Sequence, residues 1–141
     1  MKLGKWIVPV AVILLIAVLV VSQHLLKGGD RPAQQLNCPN LATGCSTLLD
    51  KTPASVGISG ELKVLQPFTV WLKMEGVNKV QARFTMEGMD MGFNLYTLRR
   101  DPDGVFRGRV TLPVCVSGRR DWVMTLEIDG GQLAVPFVTE L

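Results

Sequence analysis

Residues Trp6 to Leu26 read WIVPVAVILLIAVLVVSQHLL, an almost unbroken apolar run. At 1.5 Å per residue a helix of that length spans roughly 30 Å, the hydrocarbon thickness of a bilayer. No other stretch constrains the chain as strongly. Lys2 and Lys5 precede the run, while Lys27 and Arg31 follow it. With the terminal amine added, the positive-inside tendency puts residues 1–5 in the cytoplasm as a short stub and everything after the run outside. The expectation is a single-pass anchor over residues 6–26 in an inner membrane, with the C-terminal domain in the periplasm. A cleaved signal peptide is the competing reading, with Val20-Val21-Ser22 as its small-residue cleavage site, but the run is longer than a usual signal core.

Thirteen of the fifteen basic residues and all twelve acidic ones follow the run, so the exported part is close to neutral. The basic stripe with interleaved aromatics that nucleic-acid binding needs is absent, and no nucleic-acid partner is expected. All three cysteines, Cys38, Cys45 and Cys115, fall on the exported side, where disulfides persist. Cys38 and Cys45 are separated by a turn-rich stretch containing Pro39 and Gly44, which can bring their Cα atoms within the ~6 Å a bridge requires. They are the expected pair. Pairing of either with Cys115 across the domain is the alternative.

Residues 27–54 show no sustained period and many Gly, Pro, Asn, Asp and Thr residues, the composition of a linker ending in a disulfide-clipped loop. Residues 55–141 then alternate with period two. Phe68, Val70, Leu72 and Met74 share one strand face, and Val80, Ala82, Phe84 and Met86 share the next. Met91, Phe93 and Leu95 suggest a third, followed by a turn at Asp101-Pro102-Asp103-Gly104. Phe106, Val110, Leu112 and Val114 keep step, as do Trp122, Met124, Leu126 and Ile128. Gly130-Gly131 closes a hairpin onto Leu133, Val135 and Phe137. With a first strand over residues 55–64, this predicts an all-β sandwich of about seven strands and no helix after the anchor.

Catalytic chemistry finds little material. The only histidine is His24, within the apolar run, so the exported domain cannot build a Ser-His-Asp or Cys-His arrangement. Glu87, Asp90, Asp101 and Asp103 sit in turn-like stretches where solvated charge is the default. The chain is therefore read as a non-enzyme. Arg119-Arg120-Asp121 reads as a solvated turn with a weak ion pair.

The segment Met86-Glu87-Gly88-Met89-Asp90-Met91-Gly92 is different. It holds three thioethers around a glycine, and soft sulfur ligands select Cu(I) over hard cations. Met86 and Met91 also fit the strand periods as core residues, whereas Met89 falls outside them. Cys115 offers the softest ligand in the chain, on the opposite strand face from Val114, and completes the candidate metal set Met86, Met89, Met91 and Cys115.

From about Val80 to Val138 the chain resembles the YtkA-like and FixH families of small membrane-anchored proteins. The resemblance rests on Met86-x-x-Met89-x-Met91-Gly92, on Gly104-x-Phe106-x-Gly108 with Leu112-Pro113, and on Gly118 with Trp122 ahead of alternating apolar residues. It implies an immunoglobulin-like sandwich behind one N-terminal transmembrane helix. It also implies a periplasmic accessory role in copper handling or haem-copper oxidase assembly, beside a respiratory or copper-handling membrane complex. Met86, Met89 and Met91 match the family motif; Cys115 is added on grounds of softness alone. The chain departs from the family by its three cysteines and by lacking a histidine in the exported domain. The rival reading is a structural protein-interaction module whose methionines only pack the core.

Overall fold

A computed structural model describes residues 4–26, 32–89, 92 and 94–140. The chain divides after Arg31 into two compact units. The first is helix α1, Gly4–Leu26, with Pro9 inside its second turn, where proline removes the N–H that would bond the carbonyl four residues back. Side chains are described from residue 7 to residue 23. Among the described residues no helix is long and apolar enough to cross a membrane. The apolar side chains of α1 are exposed around its circumference, including Ile7, Ile13, Leu15, Ile16 and Val18.

The second unit is all-β, with nine strands: β1 (Gln34–Gln35), β2 (Cys45–Leu49), β3 (Thr52–Ser59), β4 (Pro67–Met74), β5 (Val80–Thr85), β6 (Leu95–Arg100), β7 (Phe106–Thr111), β8 (Asp121–Ile128) and β9 (Gly131–Val138). Their hydrogen-bonded order is β1-β9-β8-β5-β6-β7-β4-β3-β2. This corrects the seven-stranded immunoglobulin-like sandwich. The first residues of β6 pair with β5, as in Ala82↔Tyr96, and its last residues pair with β7, as in Arg100↔Phe106. One strand thus belongs to both halves, and two would-be sheets become a single curled, barrel-like one. Residues 27–54, expected to be linker, supply β1 and β2. Those strands are too short to show a period.

The two ends of this order meet through side chains. Gln34 Nε2 on β1 donates to Thr47 Oγ1 at 3.1 Å and to the Leu48 carbonyl at 2.9 Å, both on β2. Just beyond β1, Cys38 is bonded to Cys45 at the start of β2, with Cα atoms 5.7 Å apart. The expected disulfide is therefore the one present, and it staples the seam. β1 covers only part of β9, through Leu133 and Ala134. Ala134 turns its carbonyl outward to Leu36 N at 2.8 Å, so Pro136, two residues on, faces the same open edge with no N–H to offer a stray strand.

One core fills the interior, drawing Val56, Val70 and Leu72 from one half and Val80, Phe84, Trp122, Leu126 and Leu133 from the other. Phe84 sits edge-to-face against Phe68, Tyr96 and Phe137. Of the third expected face, Met91 and Phe93 lie outside the described residues, and Leu95 is 42% exposed. Tyr96 and Leu98 point inward instead, so the face is shifted by one residue.

Cleaving the seam's staple should be measurable. A bridge over a sequence separation of 7 removes unfolded-chain entropy worth about 2.5 kcal/mol. Replacing Cys38 and Cys45 together by serine is expected to lower the free energy of unfolding by about that amount in a urea titration. An unchanged midpoint would show that the seam is held without it.

Candidate functional site

Strands β5 and β8 are neighbours, with Thr85 opposite Val123. The segment leaving β5 and the connection entering β8 therefore emerge side by side at one end of the barrel. The chain enters the domain at the other end, because β1 runs parallel to β9 and begins opposite Leu133.

Each of the two segments makes a four-residue turn. In the first, Met89 N donates to the Met86 carbonyl at 3.1 Å, and Gly88 takes a positive φ of 73° that a side chain would resist. In the second, Gly118 N donates to the Cys115 carbonyl at 3.0 Å. The turns bring the Cys115 thiol to 3.9 Å from Met89 Sδ, with the thiol donating. The residue outside the core period and the thiol chosen for softness are thus in contact.

Cys115 is a free thiol, only 5% exposed. Its Sγ lies 2.9 Å from Ser117 Oγ. The Ser117 hydroxyl, with the Ser117 backbone and the nearby Arg119, holds the thiol below its ordinary pKa, against a smaller upward push from burial. That raises the fraction present as thiolate, the form that ligates metals. Val114 and Val116, on either side of it, are exposed.

Met86 closes the same turn as Met89, its carbonyl accepting from Met89 N. Met86 is buried in the core cluster at 2% exposure, where its place in the β5 period puts it. Met89 is half-buried and packs against that cluster. Met91 lies outside the described residues, as does the side chain of His24. Among the described residues no group of three or more His, Cys, Asp or Glu could hold a metal ion. What remains is one thiol and one thioether. Two sulfurs sharing a cation at bonds of about 2.3 Å, the zinc–thiolate length, lie within about 4.6 Å of each other. The observed 3.9 Å meets that condition.

Ser117 and Arg119 were not read as parts of a site from the sequence. For Ser117 a signal existed, since a hydroxyl two residues after a turn-forming cysteine can reach back to it. Arg119 does pair with Asp121, Nε to Oδ1 at 3.0 Å with Nη2 on Oδ2. It also donates from Nη1 to the Glu87 carbonyl at 2.9 Å, a contact 32 residues away that local spacing does not reveal.

A cleft of about 560 Å³ opens between the disulfide loop and the end of β9, lined by Leu41, Ile58, Leu62 and Phe137 with Glu61 and Glu140. Met86, Met89 and Cys115 do not line it, its one cysteine is in the disulfide, and Glu61 is paired with Lys63 at 2.9 Å. Neither a protein-family model, a curated protein nor a solved structure matches the chain.

Proposed function

We propose that this is a non-enzymatic accessory protein of the extracytoplasmic face of a membrane, which binds Cu(I) through Cys115 and Met89. The observation that carries the reading is the 3.9 Å contact between a thiol held below its ordinary pKa and a thioether. Thiolate and thioether are both soft, and Cu(I) is the common biological cation that prefers them. Bound there, Cu(I) would be supplied as cargo for a copper-containing membrane complex, which is the role that the likeness to the YtkA-like and FixH families implies. Met86 has a structural task in the core in this reading, and Met91 is the third candidate ligand.

Helix α1 is read as the membrane anchor. Its backbone covers 23 residues, roughly 34 Å of helix, and a helix apolar all round calls for lipid or a protein core as its surroundings. The described part of α1 buries none of its large apolar side chains.

The test is a titration of the reduced full chain in detergent with Cu(I) against a chromophoric chelator. One equivalent is expected to bind. Cys115→Ser should weaken binding about a hundredfold and Met89→Ile about tenfold, while Met86→Ile leaves it unchanged. Binding releases the thiol proton, so affinity rises with pH until Cys115 is fully thiolate. Because the thiol is held down, that rise should level off at a lower pH than it would for an unperturbed thiol. A wild-type chain that cannot compete with the chelator, or a Cys115→Ser chain that competes equally well, would leave the interaction-module reading, which the burial of Met86 supports.

A further inference from the structure

The two sulfurs come from turns that are adjacent in space but separated in sequence, and each turn is closed by its own backbone hydrogen bond. Something has to fix one turn against the other. Among the described residues, the hydrogen bond that joins them besides the sulfur contact comes from Arg119, which follows the Cys115–Gly118 turn directly. Its guanidinium forks onto the Asp121 carboxylate through Nε and Nη2 and spends Nη1 on the Glu87 carbonyl, inside the Met86–Met89 turn. The fork makes the reach specific. Asp121 is the first residue of β8, which pairs with β9 through Asp121↔Val138 and with β5 from Val123 on. An arginine held by both oxygens of a carboxylate on a sheet strand has little freedom left, so the remaining N–H points at a fixed place. That place is a carbonyl two residues before Met89.

We infer that Arg119 is a positioning residue: braced on Asp121, it holds the Met86–Met89 turn against the Cys115–Gly118 turn and so fixes the spacing of the two sulfurs. The inference deepens the Cu(I) reading, and only its consequence for affinity rests on that reading. Lysine cannot replace the arginine, because a single ammonium cannot grip both carboxylate oxygens and the Glu87 carbonyl in one plane.

Two measurements on the full chain in detergent decide it. The first needs no metal. Amide hydrogen exchange at Met89, whose N–H closes the first turn, should speed up about fivefold in Arg119→Gln, the factor expected for one lost net hydrogen bond. Exchange in β8 and β9 and the midpoint of global unfolding should stay in place. Arg119→Lys should behave like Arg119→Gln, and Asp121→Asn, which removes the brace but not the arginine, should give a smaller change in the same direction. The second is the Cu(I) titration, in which Arg119→Gln is expected to weaken binding about fivefold.

Unchanged exchange at Met89 in Arg119→Gln overturns the inference, whatever the metal result. A rise at every amide, or a fall in the unfolding midpoint, overturns it too, because the arginine would then serve general stability. Wild-type protein that binds no Cu(I) sinks the copper reading alone, and the exchange result still decides the role of Arg119.

Discussion

Gly57→Ala is expected to destabilise the domain by about 3 kcal/mol, at the upper end of what one added methyl does in a packed region. Gly57 lies mid-strand in β3, opposite Trp71 on β4. A Cβ built there would stand 2.4 Å from Trp71 Cζ2, 2.6 Å from Cε2 and 2.9 Å from the Leu41 carbonyl oxygen. The indole cannot slide toward the disulfide loop, since a Cβ on Gly44 would lie 2.6 Å from its Cη2. Nor can the carbonyl retreat cheaply, because it accepts from Ile58 N at 2.9 Å and from Gly44 N at 3.2 Å. The outer face of the sheet is thus closed here by one flat ring on two bare glycines. The check is the denaturant midpoint at unchanged slope. Pairing Gly57→Ala with Trp71→Ala should recover part of the loss, a coupling that neighbours show and distant sites do not. A single-mutant change within 0.5 kcal/mol of wild type would mean that the ring moves freely.

Trp122→Ala should cost more, about 4 kcal/mol, as large aromatic truncations in cores do. Trp122 is 1% exposed and is among the largest fully buried side chains. Yet its Nε1 finds no hydrogen-bond partner among the described residues. A buried donor left without a partner costs about 1–3 kcal/mol, a cost that phenylalanine at this position does not carry. Trp122→Phe loses ring volume but also removes the orphan, and the two effects largely offset; a net loss of about 1 kcal/mol is expected. The contrast between the two variants in equilibrium unfolding is the informative quantity. Should phenylalanine cost as much as alanine, the indole N–H is satisfied in solution.

Period-two alternation carried most of the fold. Phe68, Val70 and Leu72, then Val80, Ala82 and Phe84, then Trp122 to Ile128 and Leu133 to Val135 all face the core as their spacing predicts. The alternation reports which face is buried, but not which strand lies beside which. That β6 pairs on one side with its first half and on the other with its second is a property of the whole sheet, and it separates a barrel-like fold from a sandwich. Leu95 joins Met91 and Phe93 in an apolar alternation that begins outside β6, whereas the inward residues of β6 are Tyr96 and Leu98, one step out of phase. Strands β1 and β2 were illegible for another reason. Two or five residues give no period, and Gln34 is held by neighbours far along the chain.

The candidate site was half legible. Softness of ligand picked out Met89 and Cys115 without knowledge that they touch, because chemistry narrows a sequence to few residues even when topology is unknown. Met86 is buried in the core, as its place in the β5 period implies. The Arg119 contact to a backbone carbonyl leaves no trace in residue types, since any residue at position 87 would offer the same acceptor.

Strand β1 has a consequence for the making of the protein. Gln34 and Gln35 complete the sheet by pairing with Leu133 and Ala134, which a ribosome adding about 5–20 residues per second delivers roughly 5–20 s later. The disulfide loop from Cys38 to Cys45 can close soon after it is made, but the edge it is meant to hold does not yet exist. The first strand of the domain must wait, unpaired, for the last. During that interval the growing chain presents an incomplete sheet to whatever escorts it, and its final closure is timed by the emergence of β9.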